Sequence, residues 1–296
     1  MVRMSRLARA VLALAWAGAA CAIDAQSAPS PSPDRVREFI ATARAAARRY
    51  EAQEAALADG YRAVGPDSPA MGQHWVHVMR LFDGGVDAAR TQILTYIQVD
   101  GRPVLTGVAY ATPARGEADL PEQPVGRAAW HVHDGALDEE AFLPVHHAAG
   151  APGVGVAVLH LWISIENPDG AWAAENWALP FARLGLAMGY MPTARSASAL
   201  SLATIGERFI THSLLALARA DSAALRAMPP IVARHAADVR AWVAERGTAP
   251  VSAAEMQWLE RTWGAFWRDL ESCVSPETWM RLAPARGAPA EDAHRH

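Results

Sequence analysis

The chain has no lysine and only two cysteines, Cys21 and Cys273, in 296 residues. Its 27 basic side chains are therefore all arginine, set against 31 acidic ones for a net charge of −4. Missing lysine goes with heavy alanine use and reads as the codon bias of a GC-rich genome. A balanced, slightly acidic chain with no basic patch argues against a nucleic-acid partner. Several catalytic signatures are missing as well. There is no Gly-x-Ser-x-Gly elbow, no phosphate-binding loop and no Cys-x-x-Cys-His haem attachment. The apolar run Ala10 to Ala20 is too short to span a bilayer.

That run fits an export signal instead. Arg3, Arg6 and Arg9 form a positive leading segment, and Ala20-Cys21-Ala22 supplies small residues for cleavage. The expected mature chain starts after Ala22 and is periplasmic or secreted. The alternative is a lipid anchor on Cys21, following Gly18-Ala19-Ala20. With simple cleavage only Cys273 is certain to remain, so no internal disulfide framework is expected. The protein must then be held by its core or by a metal. Hydrophobic residues make up 51% of the chain, enough for one large domain or two small ones.

The pattern of residues predicts an α+β protein: an N-terminal helix, an antiparallel β-core, and a C-terminal helical region packed on it. Residues 23–33 are rich in Ser and Pro and read as a disordered leader. Ser32-Pro33 then starts a helix expected to run to Asp59, with Gly60 as its stop. The histidine-containing core is expected over residues 34–192. It has strands at Ile93 to Val99, Val104 to Tyr110, Trp130 to His133 and Val154 to Ile165, and a strand or ordered loop at His74 to Val78. Asp100-Gly101 signals a hairpin, and Arg102-Pro103 suggests a loop longer than two residues. Residues 172–186 read as an irregular wrap that buries tryptophans. Helices are expected near Ala197–Arg219, Ile231–Arg246 and Ala253–Ser272, with a short one from Pro276, within residues 193–283. Pro229-Pro230 is read as the break between the first two. Ser252 and Glu255 form a capping box before the third. Residues 284–296 read as a disordered tail.

Eleven histidines are present, and seven of them, from His74 to His160, fall in the β-rich segment. Side chains two apart on a strand share a face, so His131 and His133 project together. His160 lies in an apolar strand, where an imidazole is costly unless its nitrogens find partners. Metal ligation answers that need; a hydrogen bond to a carboxylate or carbonyl answers it equally. His74, beside Trp75, poses the same choice. The candidate metal ligands are therefore His74, His131, His133 and His160, with Glu140 as the preferred carboxylate and Glu166 and Glu175 in reserve. His146 and His147 read as solvated surface, His212 and His235 as structural helix residues, and His294 and His296 as tail. Such a donor set, without thiolates, suits zinc, copper, nickel or iron. With an open position it supports metal-activated water or oxygen chemistry, and with a filled shell it only stabilises the fold. His131-x-His133 followed by glutamate is similar to the first cupin motif, but Gly126 precedes His131 by one residue too few. Both an open sheet and a small β-barrel stay open.

Met71-Gly72-Gln73-His74-Trp75, Gly107-Val108-Ala109-Tyr110, Trp130-His131-Val132-His133, Leu159-His160-Leu161-Trp162, Asn167-Pro168 and Asn176-Trp177-Ala178-Leu179-Pro180 form a set of short motifs. Together they resemble a family of exported bacterial proteins that has no assigned activity. The resemblance covers roughly Tyr61 to Leu186 and implies that this segment is a unit with the four histidines in its motifs. The leading expectation is an exported metal-binding protein with a mononuclear histidine site, an enzyme or not. The alternative is a non-catalytic periplasmic binding or assembly module whose histidines are structural. A third reading is a binder of a small aromatic or haem-like ligand.

Overall fold

The computed structural model describes residues 30–83, 85–114, 116–133, 155–206, 218 and 221–282. Six strands form one antiparallel sheet in the order β1-β2-β3-β4-β6-β5. They are β1 (Arg62–Ser68), β2 (Gly72–Val76), β3 (Ile93–Val99), β4 (Arg102–Ala114), β5 (Trp130–His133) and β6 (Gly155–Trp162). Among the described residues the sheet is open, with β1 and β5 at its edges and no closure into a barrel. Among the described residues no helix is long and apolar enough to cross a membrane.

One face of the sheet carries Leu94, Tyr96, Val108, Tyr110, Leu159 and Leu161. It is covered by α1 (Pro33–Ala47), whose Phe39, Ala43 and Ala47 recur at helical spacing. Phe39 meets the Tyr110 ring edge-on at 5.2 Å. Ser32 caps this helix through its hydroxyl, with Pro33 in the first turn. The helix does not run on to Asp59. A turn of 3-10 helix at Arg48–Tyr50 leads to Ala52, which is extended at φ −84° and ψ 112°, and α2 (Gln53–Ala58) follows. The break lets Tyr50 bury its ring while its hydroxyl reaches Asp59. Arg80, from α3 (Val78–Phe82), completes that knot at 2.7 Å from Asp59 and 2.8 Å from the Tyr61 hydroxyl.

The β3–β4 hairpin is tighter than its Arg102-Pro103 sequence suggests. Val99 pairs directly with Arg102, because Asp100 (φ 49°) and Gly101 (φ 73°) both take the positive φ of a two-residue turn. The opposite face of the sheet holds Val76, Ile93, Ala109, Ala111 and Val158, then Ile97 and Trp162. On the latter pair lies α4 (Leu179–Arg183), which interrupts the expected irregular wrap. Trp172 and Trp177 in that wrap are only partly buried. Arg183 forms a two-pronged ion pair with Asp67 of β1, at 2.8 and 2.5 Å.

Among the described residues the C-terminal region holds α5 (Ala194–Ser201), α6 (Ser222–Glu245), α7 (Ala253–Glu271) and α8 (Pro276–Leu282). Thr193 and Ser196 form a capping box that starts α5 earlier than expected. Residues 202–206 continue it as a π-helical turn. The expected break at Pro229-Pro230 is absent. Ala224, Met228, Val232, His235, Ala236 and Val239 make one continuous buried stripe along α6, and its packing outweighs the two backbone bonds the prolines forfeit. The capping box of Ser252 and Glu255 opens α7, whose Met256, Leu259, Trp263, Phe266 and Leu270 are all buried. Phe181 belongs to the same core, so α4 joins the helical region to the sheet.

Candidate functional site

The histidine side chains gather on the face of the sheet away from α1. His74 in β2 shares that face with Val76, and Val76 pairs with Ile93, which pairs with Ala109, which pairs with His160 of β6. His131 of β5 pairs with Val158, two residues before His160 on the same face. Three strands thus contribute one imidazole each. His74 is 5% exposed, His160 is 2% exposed, and His131 is half-buried.

His160 is the hub. Its ring centre lies 5.2 Å from that of His131, with the planes 29° apart, and 5.7 Å from that of His74, nearly perpendicular at 86°. Trp162 lies 5.9 Å away with its plane 28° from that of His160. The His74–His160 contact is the informative one. β2 and β6 are three strand spacings apart, roughly 14 Å in a flat sheet at about 4.8 Å per strand. For the rings to meet, the sheet must curl around this face. The residues between them in the His74 row, Thr95 and Gly107, are small, as is Ala109 beside His160. A register shift after Thr95 leaves Thr106 as an extra residue on β4, and such a bulge sharpens the local twist.

Gly107 is tightly enclosed. A Cβ there would sit 2.9 Å from Thr95 Oγ1, 3.0 Å from Leu161 O and 3.2 Å from Cε3 of Trp162. The indole therefore lies across the glycine. Its Nε1 donates to Ala173 O at 2.7 Å, and the Trp162 backbone N donates to Ala171 O at 2.9 Å. The same loop returns to the β1–β2 turn, where Asn176 N donates to Ala70 O at 2.7 Å.

The remaining candidates fall elsewhere. His133 occupies the strand position opposite Val156, but its side chain lies outside the described residues, as do Glu139, Glu140, His146, His147, His212, His294 and His296. Glu166 is exposed. Glu175 is half-buried; burial, then the nearby charge of Asp169, push its carboxyl up to about 7, against a hydrogen bond from Trp177. His77 caps α3, its Nδ1 accepting from Arg80 N at 3.3 Å, and its ring meets Tyr61 edge-on at 5.2 Å. His235 is a helix residue bonded through Nε2 to Asp269 at 2.8 Å. That bond leads, with Arg234, in holding the Asp269 carboxyl below its usual range. Sequence reasoning missed Gly107 and Thr95 as the floor of the site; the glycine stands in the Gly-Val-Ala-Tyr motif, which is the signal that marks it.

A metal–nitrogen bond of about 2.1 Å puts an ion roughly 3 Å from the centre of a bound imidazole, so two rings on one ion have centres within roughly 6 Å. Both histidine pairs satisfy that limit. Among the described residues, however, no group of three or more His, Cys, Asp or Glu side chains is placed to hold an ion together. No family model, no curated protein and no solved structure matches the chain.

Proposed function

We propose that this chain is an exported protein that binds one transition-metal ion, with His160 as the central ligand and His74, His131, His133 and Glu140 as its partners. Zinc, copper, nickel and iron all suit an imidazole-rich donor set without thiolates. The observation that carries this reading is the meeting of His74 and His160 over Thr95, Gly107 and Ala109. An apolar side chain would fill that space without the desolvation cost of an imidazole. Two buried imidazoles with ring centres 5.7 Å apart are close enough to reach one ion together. The motifs that resemble a family of exported bacterial proteins contain all four histidines.

A structural reading has its own support. His160 packs parallel to Trp162 and His131 and edge-on to His74, as core aromatics do. In that reading the protein is a non-catalytic binding or assembly module. Titration calorimetry of metal-free protein with zinc, copper, nickel and iron separates the two. The proposal expects one ion per chain, unchanged when His294 and His296 are both replaced by alanine. Heat only at those tail residues, or none at all, leaves the structural reading.

A further inference from the structure

We infer that Trp162 is the positioning residue of the histidine cluster, fixing the plane of the His160 ring. As a statement about metal binding this rests on the proposed function; as a statement about the ring it does not. Trp162 follows His160 by two residues and shares its face of β6. Its indole is held on three sides. Beneath it is Gly107, whose Cβ would come within 3.2 Å of the ring. At its polar edge the indole N–H is tied to Ala173 O at 2.7 Å. Ile97 and Leu179 pack against it.

A side chain clamped in this way is a fixed wall, and the His160 ring lies against it nearly parallel at 5.9 Å. His131, opposite Val158, approaches from the other direction along β6 and also lies nearly parallel to His160. The His160 ring is therefore bracketed by Trp162 and His131, which narrow its freedom about the Cβ–Cγ bond. Trp162 is itself tethered, its indole N–H donating to Ala173 O in the following loop. Gly107 is part of the device: a side chain there would crowd Thr95 Oγ1, Leu161 O and the indole together, at 2.9, 3.0 and 3.2 Å. Groups that orient a ligand without touching the ion are worth about tenfold to a hundredfold in metal affinity.

The test uses the full chain with ¹⁵N-labelled histidine, at one fixed pH, in wild type, Trp162→Phe and Gly107→Ala. Trp162→Phe keeps an aromatic wall but loses the tether. Gly107→Ala keeps the indole and crowds it from beneath, together with Thr95 Oγ1 and Leu161 O. The ring-nitrogen shifts of His160 in metal-free protein are expected to move in both variants, while those of His77 stay. Cobalt(II), used as a coloured probe ion, is then expected to bind about tenfold or more weaker in both, with an altered visible spectrum. If one variant fails to fold, the other carries the result. Unmoved His160 shifts in a folded variant would overturn the inference, whatever the metal does. Moved shifts in the variants, beside a wild type that binds no cobalt, zinc, copper, nickel or iron, would uphold it and overturn the metal-binding proposal.

Discussion

The ion pair between Arg183 and Asp67 gives an asymmetric prediction. Arg183 donates to both carboxylate oxygens of Asp67, at 2.8 and 2.5 Å, and also to Ser68 O at 3.3 Å. Its side chain is only 2% exposed, whereas that of Asp67 is 27% exposed. Removing either partner strands the other, but the two strandings differ. Asp67→Asn leaves a guanidinium charge in the interior, and breaking a buried pair from this side costs about 3 kcal/mol, the low end of the usual range because water still reaches the aspartate side. Arg183→Met leaves a carboxylate that water can solvate, at a cost of about 1–2 kcal/mol. The double variant should therefore be more stable than Asp67→Asn alone. Urea denaturation at pH 7 measures all four proteins. Asp67→Asn should also melt roughly 6–12 °C lower, at 2–4 °C per kcal/mol for a chain of this size. Equal costs, or a larger cost for Arg183→Met, would refute the reasoning that burial of the guanidinium decides the matter.

Glu175, raised to about 7, supplies a pH prediction. A carboxyl that keeps its proton in the folded chain but loses it near 4.3 when unfolded stabilises fully at low pH. That contribution is lost as pH rises through about 7, on the order of 2 kcal/mol. Glu175→Gln should flatten the stability–pH curve between about pH 4.3 and 7; an unchanged slope there would dismiss the assignment. A chain ending at Pro192 should be insoluble or molten, because Phe181 is buried in a core otherwise built by the C-terminal helices. A cooperative melt like that of the full chain would make the two regions independent. Intact mass of protein from the cell envelope should place the mature N-terminus after Ala22, and a diacylglyceryl mass on Cys21 would replace this with a lipid anchor.

What could be read from the sequence was local. Alternation placed His160 with Val158 and Trp162, and the spacing of Val36, Phe39, Ala43 and Ala47 marked α1, because strand and helix periodicity are local properties. Residues whose behaviour depends on distant packing were misjudged. Pro229 and Pro230 look like a break, yet the buried stripe from Ala224 to Val239 carries α6 through them. Asp100-Gly101 closes a two-residue turn that Pro103 obscured. That His74 and His160 share one cluster was expected from their motifs, but how they meet across three strand spacings was not legible, since it depends on the curl of the sheet. That curl comes from the irregularity at Thr106 and from missing bulk at Gly107 and Ala109, and no spacing in the sequence encodes it.

The decisive measurement is the metal content of untagged protein purified from the cell envelope without added metal, beside the His131→Ala variant. His131 suits the comparison because it is half-buried, so its loss leaves the core of Leu159, Leu161 and Tyr110 in place. Metal bound only by the folded chain also stabilises it, so content and melting temperature should fall together. The prediction is near one transition-metal ion per wild-type chain and much less in the variant. No metal in the wild type, with no uptake on titration with zinc, copper, nickel or iron, would contradict it and leave His74, His131 and His160 as core aromatics.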